Sequence, residues 1–397
     1  MPESLLARAL IGYEPILDRD GNALAMRATI ALHERSASQA ALYHALSALV
    51  PGGGSAIAIR CAAAFDDALL DVEPVDSLWI EVPATLASTR KGQVLLDAMH
   101  QHGLRMVLSG PPADALPDEL RAAFHLSLVH VDEDRRATAS TPPDPALAGR
   151  RTIPFAQEGV HTAAAMRACF ARGAAAVVGW PMDDIPHGPR RTGTSPDHAT
   201  IIQLMTMIAR GDDAPAIETL IRRDPVLAWR LLRYVNSPDF GLTVEVQSFR
   251  HAVMMLGYAR LARWLALLLA TASKDPAMRP VMIASFRRGL MLEQLIDTGQ
   301  DERVRDEVFI LGVFSLLDRM LNESFARLFD TLRVPVRVRE TLVEGRGPYL
   351  PYLRLLEAIE SGHGAAVMRA VHACSIPLEH CNRAVVRALS APDLLAV

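Results

Sequence analysis

Cysteine is scarce in this chain: four residues in 397, at Cys61, Cys169, Cys374 and Cys381. None belongs to a CxxC pair, so the short-range signature of a zinc site or a redox dithiol is missing. Reduced thiols, buried as small apolar groups, are the expectation. A surplus of either charge is missing too. A net charge of −4 and a pI near 6.4 give no electrostatic reason to expect nucleic acid or an anionic membrane as a partner. The opening MPESLLARALIG has neither the basic start nor the apolar run of a signal peptide. The most apolar stretch, 261–272, is shorter than a bilayer span and carries Arg263, so it reads as a buried helix. These absences imply a cytoplasmic protein without membrane insertion.

What is present is ordinary for a folded chain, with half the residues hydrophobic and 22% charged. The length suffices for two or three domains, each with its own core. Up to about residue 182, short apolar runs alternate with helix-like segments. Candidate strands are GYEPILD (12–18), ALAMRATIAL (23–32), AIAIR (56–60), SLWIEV (77–82), LRMVLS (104–109), LSLVHV (126–131), RTIPFA (151–156) and AAVVGW (175–180). Several of these are apolar nearly throughout, as strands buried on both faces are. KGQVLLDAMHQHG and HTAAAMRACFARG lie between them with helical spacing. Eight strands mostly alternating with helices predict a TIM-like (β/α) barrel over residues 1–182, its first two strands paired as a hairpin.

Residues 183–197, DDIPHGPRRTGTSPD, are rich in proline, glycine and charge without an apolar period, and read as a linker. From 198 to 397 the pattern is helical throughout. ATIIQLMTMIARG, PAIETLIRRDPVLAWRLLRYVNS, SFRHAVMMLGYARLARWLALLLA and DEVFILGVFSLLDRMLN carry dense apolar faces at the 3.6-residue period. Asp224-Pro225 suits a helix start, with the aspartate as cap and the proline at the first helical position. The fold class is therefore α/β plus all-α.

Residues 13–32, YEPILDRDGNALAMRATIAL, resemble the opening of the EAL domain, the bacterial barrel that hydrolyses cyclic di-GMP with two metal ions. The resemblance extends over most of 11–182 and implies a family position for each site residue. The glutamate of the family's name falls at Arg27, and the asparagine of the next strand at Arg60. Of two glutamates spaced by three, Glu81 is kept and the second becomes Ala84. The paired aspartates become Ser109 and Gly110, and the lysine-then-aspartate pair reads His130 and Asp132. The AEGVE-like motif stands as Gln157-Glu158-Gly159-Val160-His161, and the last-strand glutamine becomes Val178. The family's ligand-contacting leucine and arginine correspond to Thr29 and Ala31.

A guanidinium is permanently protonated and cannot coordinate a divalent cation. Three remaining acids, Glu81, Asp132 and Glu158, face two fixed cations. Arg27 and Arg60 are expected to pair with these acids and plug the site, leaving no metal, cofactor or catalytic residue. A second possibility is that the arginines grip phosphates, which would make a metal-independent cyclic di-GMP receptor. His130 and His161 could approach each other at the barrel mouth, although each is also explained as a hydrogen-bonded polar residue.

The helical half, over about 200–390, resembles the HDOD domain. Its hallmarks stand here as Asp224-Pro225, Asn236-Ser237, Ala252 and Leu256-Gly257. Most of these residues have structural explanations, with partner contact as the other reading. HDOD domains are related to metal-binding HD phosphohydrolases, but no His-Asp pair occurs in this half. The resemblance implies a bacterial signalling adaptor that works through other signalling proteins, not through catalysis.

Overall fold

Pairing of neighbouring strands in chain order closes the first part of the chain into a barrel. The computed structural model describes residues 5–32, 38–50, 54–110, 116–133, 153–185, 196–221, 227, 230–231, 234–236, 249–271, 273, 275–296 and 301–392. The strands are β1 (Ala9–Leu17), β2 (Ala23–Leu32), β3 (Ile57–Cys61), β4 (Leu78–Pro83), β5 (Arg105–Ser109), β6 (Phe124–His130), β7 (Phe155–Glu158) and β8 (Ala176–Val178). They pair in sequence order and close, with β1 antiparallel to both β2 and β8 and every other pair parallel. All eight expected strands are present, and β2 has the expected bounds. β7 differs most, starting four residues later than the apolar run that announced it.

The β1–β2 hairpin is fixed by Asp18, whose carboxylate accepts hydrogen bonds from the Asp20 and Asn22 amides and the Asn22 side chain. Helices α1 (Gln39–Ser47), α2 (Arg90–Gln101), α3 (Asp118–Ala122) and α4 (Ala163–Ala171) lie between strands. Ser38, Thr89 and Thr162 cap α1, α2 and α4, each hydroxyl accepting from an amide three residues on. The interior below the mouth is filled by small and branched residues from successive strands, among them Ile16, Ala25, Ala58, Val107, Leu128, Ala156 and Val178.

Residues 183–185, expected to open the linker, are instead built onto the barrel. The Asp183 amide donates to the His161 carbonyl at 2.9 Å. The Asp184 carboxylate accepts from the first two amides of α4, Ala163 at 2.7 Å and Ala164 at 3.0 Å. A helix N-terminus presents unsatisfied amides and positive potential, which explains why the acid folds back. Burial opposes its charge, but these amide bonds prevail and hold its pKa below the ordinary carboxylate value. Residues 186–195 of the expected linker lie outside the described residues.

The other expected boundary also moves. The chain divides into one compact unit of residues 1–185 with 354–397, and a second of 186–353. Three C-terminal helices carry the return: α13 (Leu350–Ser361) from Arg354 onward, α14 (Gly364–Cys374) and α15 (Leu378–Ser390). Two contacts explain it. Buried Asn382 on α15 donates to the Leu6 and Ala9 carbonyls, both at 2.7 Å, satisfying a polar group that an apolar contact would strand. Gly12 on β1 packs so tightly on the α13–α14 turn that a Cβ would stand 2.7 Å from the Cα of Gly362.

The second unit is helical in all its described elements: α5 (Pro196–Arg210), α6 (Ala214–Ile221), α7 (Phe249–Ala270), α8 (Arg279–Leu295), α9 (Glu302–Phe314), α10 (Leu317–Leu321), α11 (Phe325–Thr331) and α12 (Val336–Val343).. Leu204, Ile217, Leu231, Leu265 and Phe314 contribute to one shared core. Residues Ala252–Ala270 are apolar and long enough to cross a membrane by length and composition alone. Gly257 breaks that stretch, however, and Leu261, Trp264 and Leu265 are buried in the core, as the sequence reading of a core helix expected. Gly257 has φ 70° and ψ 165°, a region essentially closed to residues with a Cβ, and open space lies where its Cβ would be. It marks a helix break and not a close contact.

Candidate functional site

Register decides which side chains meet at the mouth of the barrel. Glu14 on β1 stands opposite Arg27 on β2, Thr29 opposite Arg60, and His130 opposite Glu158. Glu158 in turn pairs with Val178, and Val178 with Ile16. Glu14 shares its face with Ile16, Arg27 with Ala25, and Glu81 with Trp79, so these side chains point into the barrel above its apolar filling.

Arg27 is the centre of this layer, with 1% of its surface exposed. Its Nε and Nη2 donate to the two oxygens of Glu81, both at 2.7 Å, in the parallel two-bond fork that guanidinium and carboxylate favour. Nη1 donates to Glu158 Oε2 at 2.9 Å and to Glu14 Oε1 at 3.1 Å. One guanidinium thus holds three carboxylates. Burial works against its charge, but the Glu81 hydrogen bonds and the charges of Glu81, Glu158 and Glu14 outweigh that cost. The pKa is held above even the ordinary arginine value.

Arg60 behaves differently. Its guanidinium is 50% exposed and reaches Glu81 and Glu158 only at 3.7 Å, beyond hydrogen-bond distance. The expected plug is therefore made by Arg27, with Arg60 as a loose second cation. Asp132, expected to join it, does not: it is 86% exposed beside His130, their nearest side-chain atoms 3.4 Å apart. It lies past the end of β6, on a short helical turn that carries it out of the barrel. The His130 ring lies against Gly159, and no bond to His161, which is exposed, is found among the described residues. Ala84 and Gly110 are brought together, the Cβ position of Gly110 standing 3.4 Å from the Cβ of Ala84, with Ser109 ending β5 alongside. Val178 is fully buried.

Glu14 was missed by motif reading. The alternation of GYEPILD and the short hairpin after it place Glu14 and Ile16 on one face and Arg27 opposite, so the signal was in the register.

In the helical unit Leu256 is buried, Asn236 half-buried, and Gly257 is the break described above. Asp224, Pro225 and Ser237 lie outside the described residues.

A divalent magnesium or manganese ion needs several oxygens converging with their lone pairs free. Here both Glu81 oxygens, Glu158 Oε2 and Glu14 Oε1 are already turned onto Arg27. Among the described residues, no three His, Cys, Asp or Glu side chains group so as to hold a metal. The residues present do not fit the ion pair of an EAL phosphodiesterase.

Residues 194–323 match the HDOD domain. The chain thus joins a closed eight-stranded barrel to a helical region that matches the HDOD domain. Among curated proteins, the chain is 26% identical over 195 residues to cyclic di-GMP phosphodiesterase CdgJ of Vibrio cholerae, covering 49% of this chain and 45% of that protein. It is 24% identical over 147 residues to the uncharacterized protein YuxH of Bacillus subtilis, covering 36% of each. The matches thus span less than half the length of these relatives. Among solved structures, the chain is similar to the PaMucR phosphodiesterase in complex with c-di-GMP, at 17% identity and a TM-score of 0.32, over 44% of this chain and 91% of that one. The EAL domain of Mycobacterium smegmatis DcpA gives 18% identity and a TM-score of 0.32, over 44% and 92%.

Proposed function

We propose that this protein is a non-enzymatic signalling adaptor of the cytoplasm, with a barrel that no longer hydrolyses cyclic di-GMP. The observation that supports this reading is Arg27 bound to Glu14, Glu81 and Glu158 within 3.1 Å. Metal-assisted attack on phosphorus needs concentrated negative charge to hold two cations and lower the pKa of bound water. A fixed guanidinium supplies the opposite charge where those ions would sit. With catalysis set aside, the two folded units remain as surfaces for other signalling proteins. Similarity to CdgJ sets the context as cyclic di-GMP signalling, since that relative is named as a phosphodiesterase of this nucleotide.

The test is hydrolysis of cyclic di-GMP by the full chain with magnesium and with manganese. No turnover is expected, and none from the Arg27→Glu variant, because Arg60, Ala84, Ser109, Gly110 and Val178 also depart from the family's ligand set. Metal-dependent turnover by the unaltered chain would refute the proposal.

One observation favours a second reading, a receptor that binds cyclic di-GMP without metal. The half-exposed Arg60 guanidinium lies at the mouth with no hydrogen bond to Glu81 or Glu158, and a guanidinium fork suits phosphate oxygens. Calorimetric titration with the nucleotide, with and without magnesium, separates the readings: heat without metal supports the receptor.

A further inference from the structure

The helical unit contains a cavity of about 530 Å³ that neither reading of the barrel uses. That volume lies within the range of small-molecule sites. Ile208, Ala262 and Phe314 supply apolar wall, Asp306 and Glu307 supply acid, and Arg333 also lines the space.

The acids beside the cavity are unequally hydrogen-bonded. Arg263 gives its fork to Glu293, with both bonds at 2.8 Å, and lies over the Phe309 ring at 3.8 Å. Asp306 receives only one long contact, from Arg263 Nη1 to its Oδ1 at 3.5 Å. Glu293 takes the fork and has Arg305 3.7 Å away as a second cation, whereas buried Asp306 has the charges of Arg263 and Arg260 near it but no short hydrogen bond among the described residues. Glu307, next along α9, adds a second acid, and its Oε1 is buried without a hydrogen bond among the described residues. Burial raises the pKa of both acids, against the pull of Arg263 and Arg260 on Asp306 and of Arg337 and a Tyr349 hydrogen bond on Glu307. Apolar walls with an acid that lacks a short hydrogen bond complement an apolar body with a cationic head.

We propose that this cavity binds a small organic cation, its apolar part against Ile208 and Phe314 and its amine or amidine on Asp306. The inference is independent of the barrel's fate.

The test uses three aryl probes of similar size, benzamidine, benzyl alcohol and benzoate, titrated into the full chain by calorimetry. Benzamidine is expected to bind most tightly. Asp306→Asn should weaken it about tenfold while leaving benzyl alcohol within about twofold. Ala262→Phe, which fills the space, should abolish binding of both, with retained folding checked by circular dichroism. Equal affinity for benzoate and benzamidine would overturn the proposal. So would a benzamidine affinity indifferent to Asp306→Asn, or no saturable binding by any of the three.

Discussion

Arg27 in the barrel and Arg263 in the helical unit are built alike and leave opposite remainders. Each gives a two-bond fork to one glutamate and a weaker arm to other acids. Arg27 is sealed among three carboxylates, all of which it reaches within 3.1 Å. Arg263 is fully engaged by Glu293 and leaves Asp306 with a single 3.5 Å contact beside open space. The lesson concerns geometry more than charge. A guanidinium at the axis of a closed barrel is reached from several strands, whereas one on a helix face meets only the helices beside it. The first arrangement gives all three acids a short bond, and the second leaves an acid with only a long one.

Removing each arginine is the sharpest way to break the comparison. Arg27→Met would leave three inward carboxylates facing one another with only the loose Arg60, 3.7 Å from two of them, as counter-charge. The barrel should lose about 3–5 kcal/mol, the cost of breaking a buried ion cluster from one side. Arg263→Met should cost less, about 2 kcal/mol, because water reaches the side chain more easily and only Glu293 loses two good bonds. Thermal and denaturant unfolding of both variants checks the order. If Arg263→Met cost more, the sealed-versus-open contrast would be wrong.

Asp306→Asn comes next and runs the other way. Burial dominates at Asp306, and the nearby Arg263 does not fully offset it, so its folded pKa lies above the unfolded value. A raised pKa favours the protonated form in the fold. That contribution is fully present below the unfolded carboxylate pKa, near 3.9, and is lost as pH rises through the folded value. At neutral pH the asparagine variant should be as stable as the parent or up to about 1 kcal/mol more stable. The difference should shrink on acidification. A variant that melts far earlier at neutral pH would show that Asp306 is needed as a charge.

Much of this was legible because one-dimensional pattern and three-dimensional role coincide in strands. Apolar runs gave every barrel strand, and the spacing of GYEPILD and ALAMRATIAL gave the hairpin. The motif positions Arg27, Glu81 and Glu158 do converge. Three things escaped, each for a physical reason. Glu14 is visible only once the hairpin register is counted across the turn. Asp132 was placed by motif spacing, but the short turn after β6 swings it outward, which spacing cannot encode. The return of the chain at Arg354 depends on Asn382 finding two carbonyls more than 370 positions earlier in the chain, and on Gly12 admitting Gly362. Helical periodicity marks those segments as helices but carries no address for where they dock.

The smallest expected effect tests what Arg60 is for. Its 3.7 Å separations and half-exposed guanidinium leave it screened by water, where ion pairs contribute about 0–1 kcal/mol. Arg60→Ala should therefore shift barrel stability by no more than about 0.5 kcal/mol, far less than the Arg27→Met loss. With stability so little changed, the variant isolates ligand binding. If the chain binds cyclic di-GMP without metal, Arg60→Ala should abolish the calorimetric heat while unfolding stays the same. If Arg60→Ala instead destabilises the barrel as strongly as Arg27→Met, then Arg60 belongs to the plug, and the exposed cation that makes a receptor chemically sensible is not there.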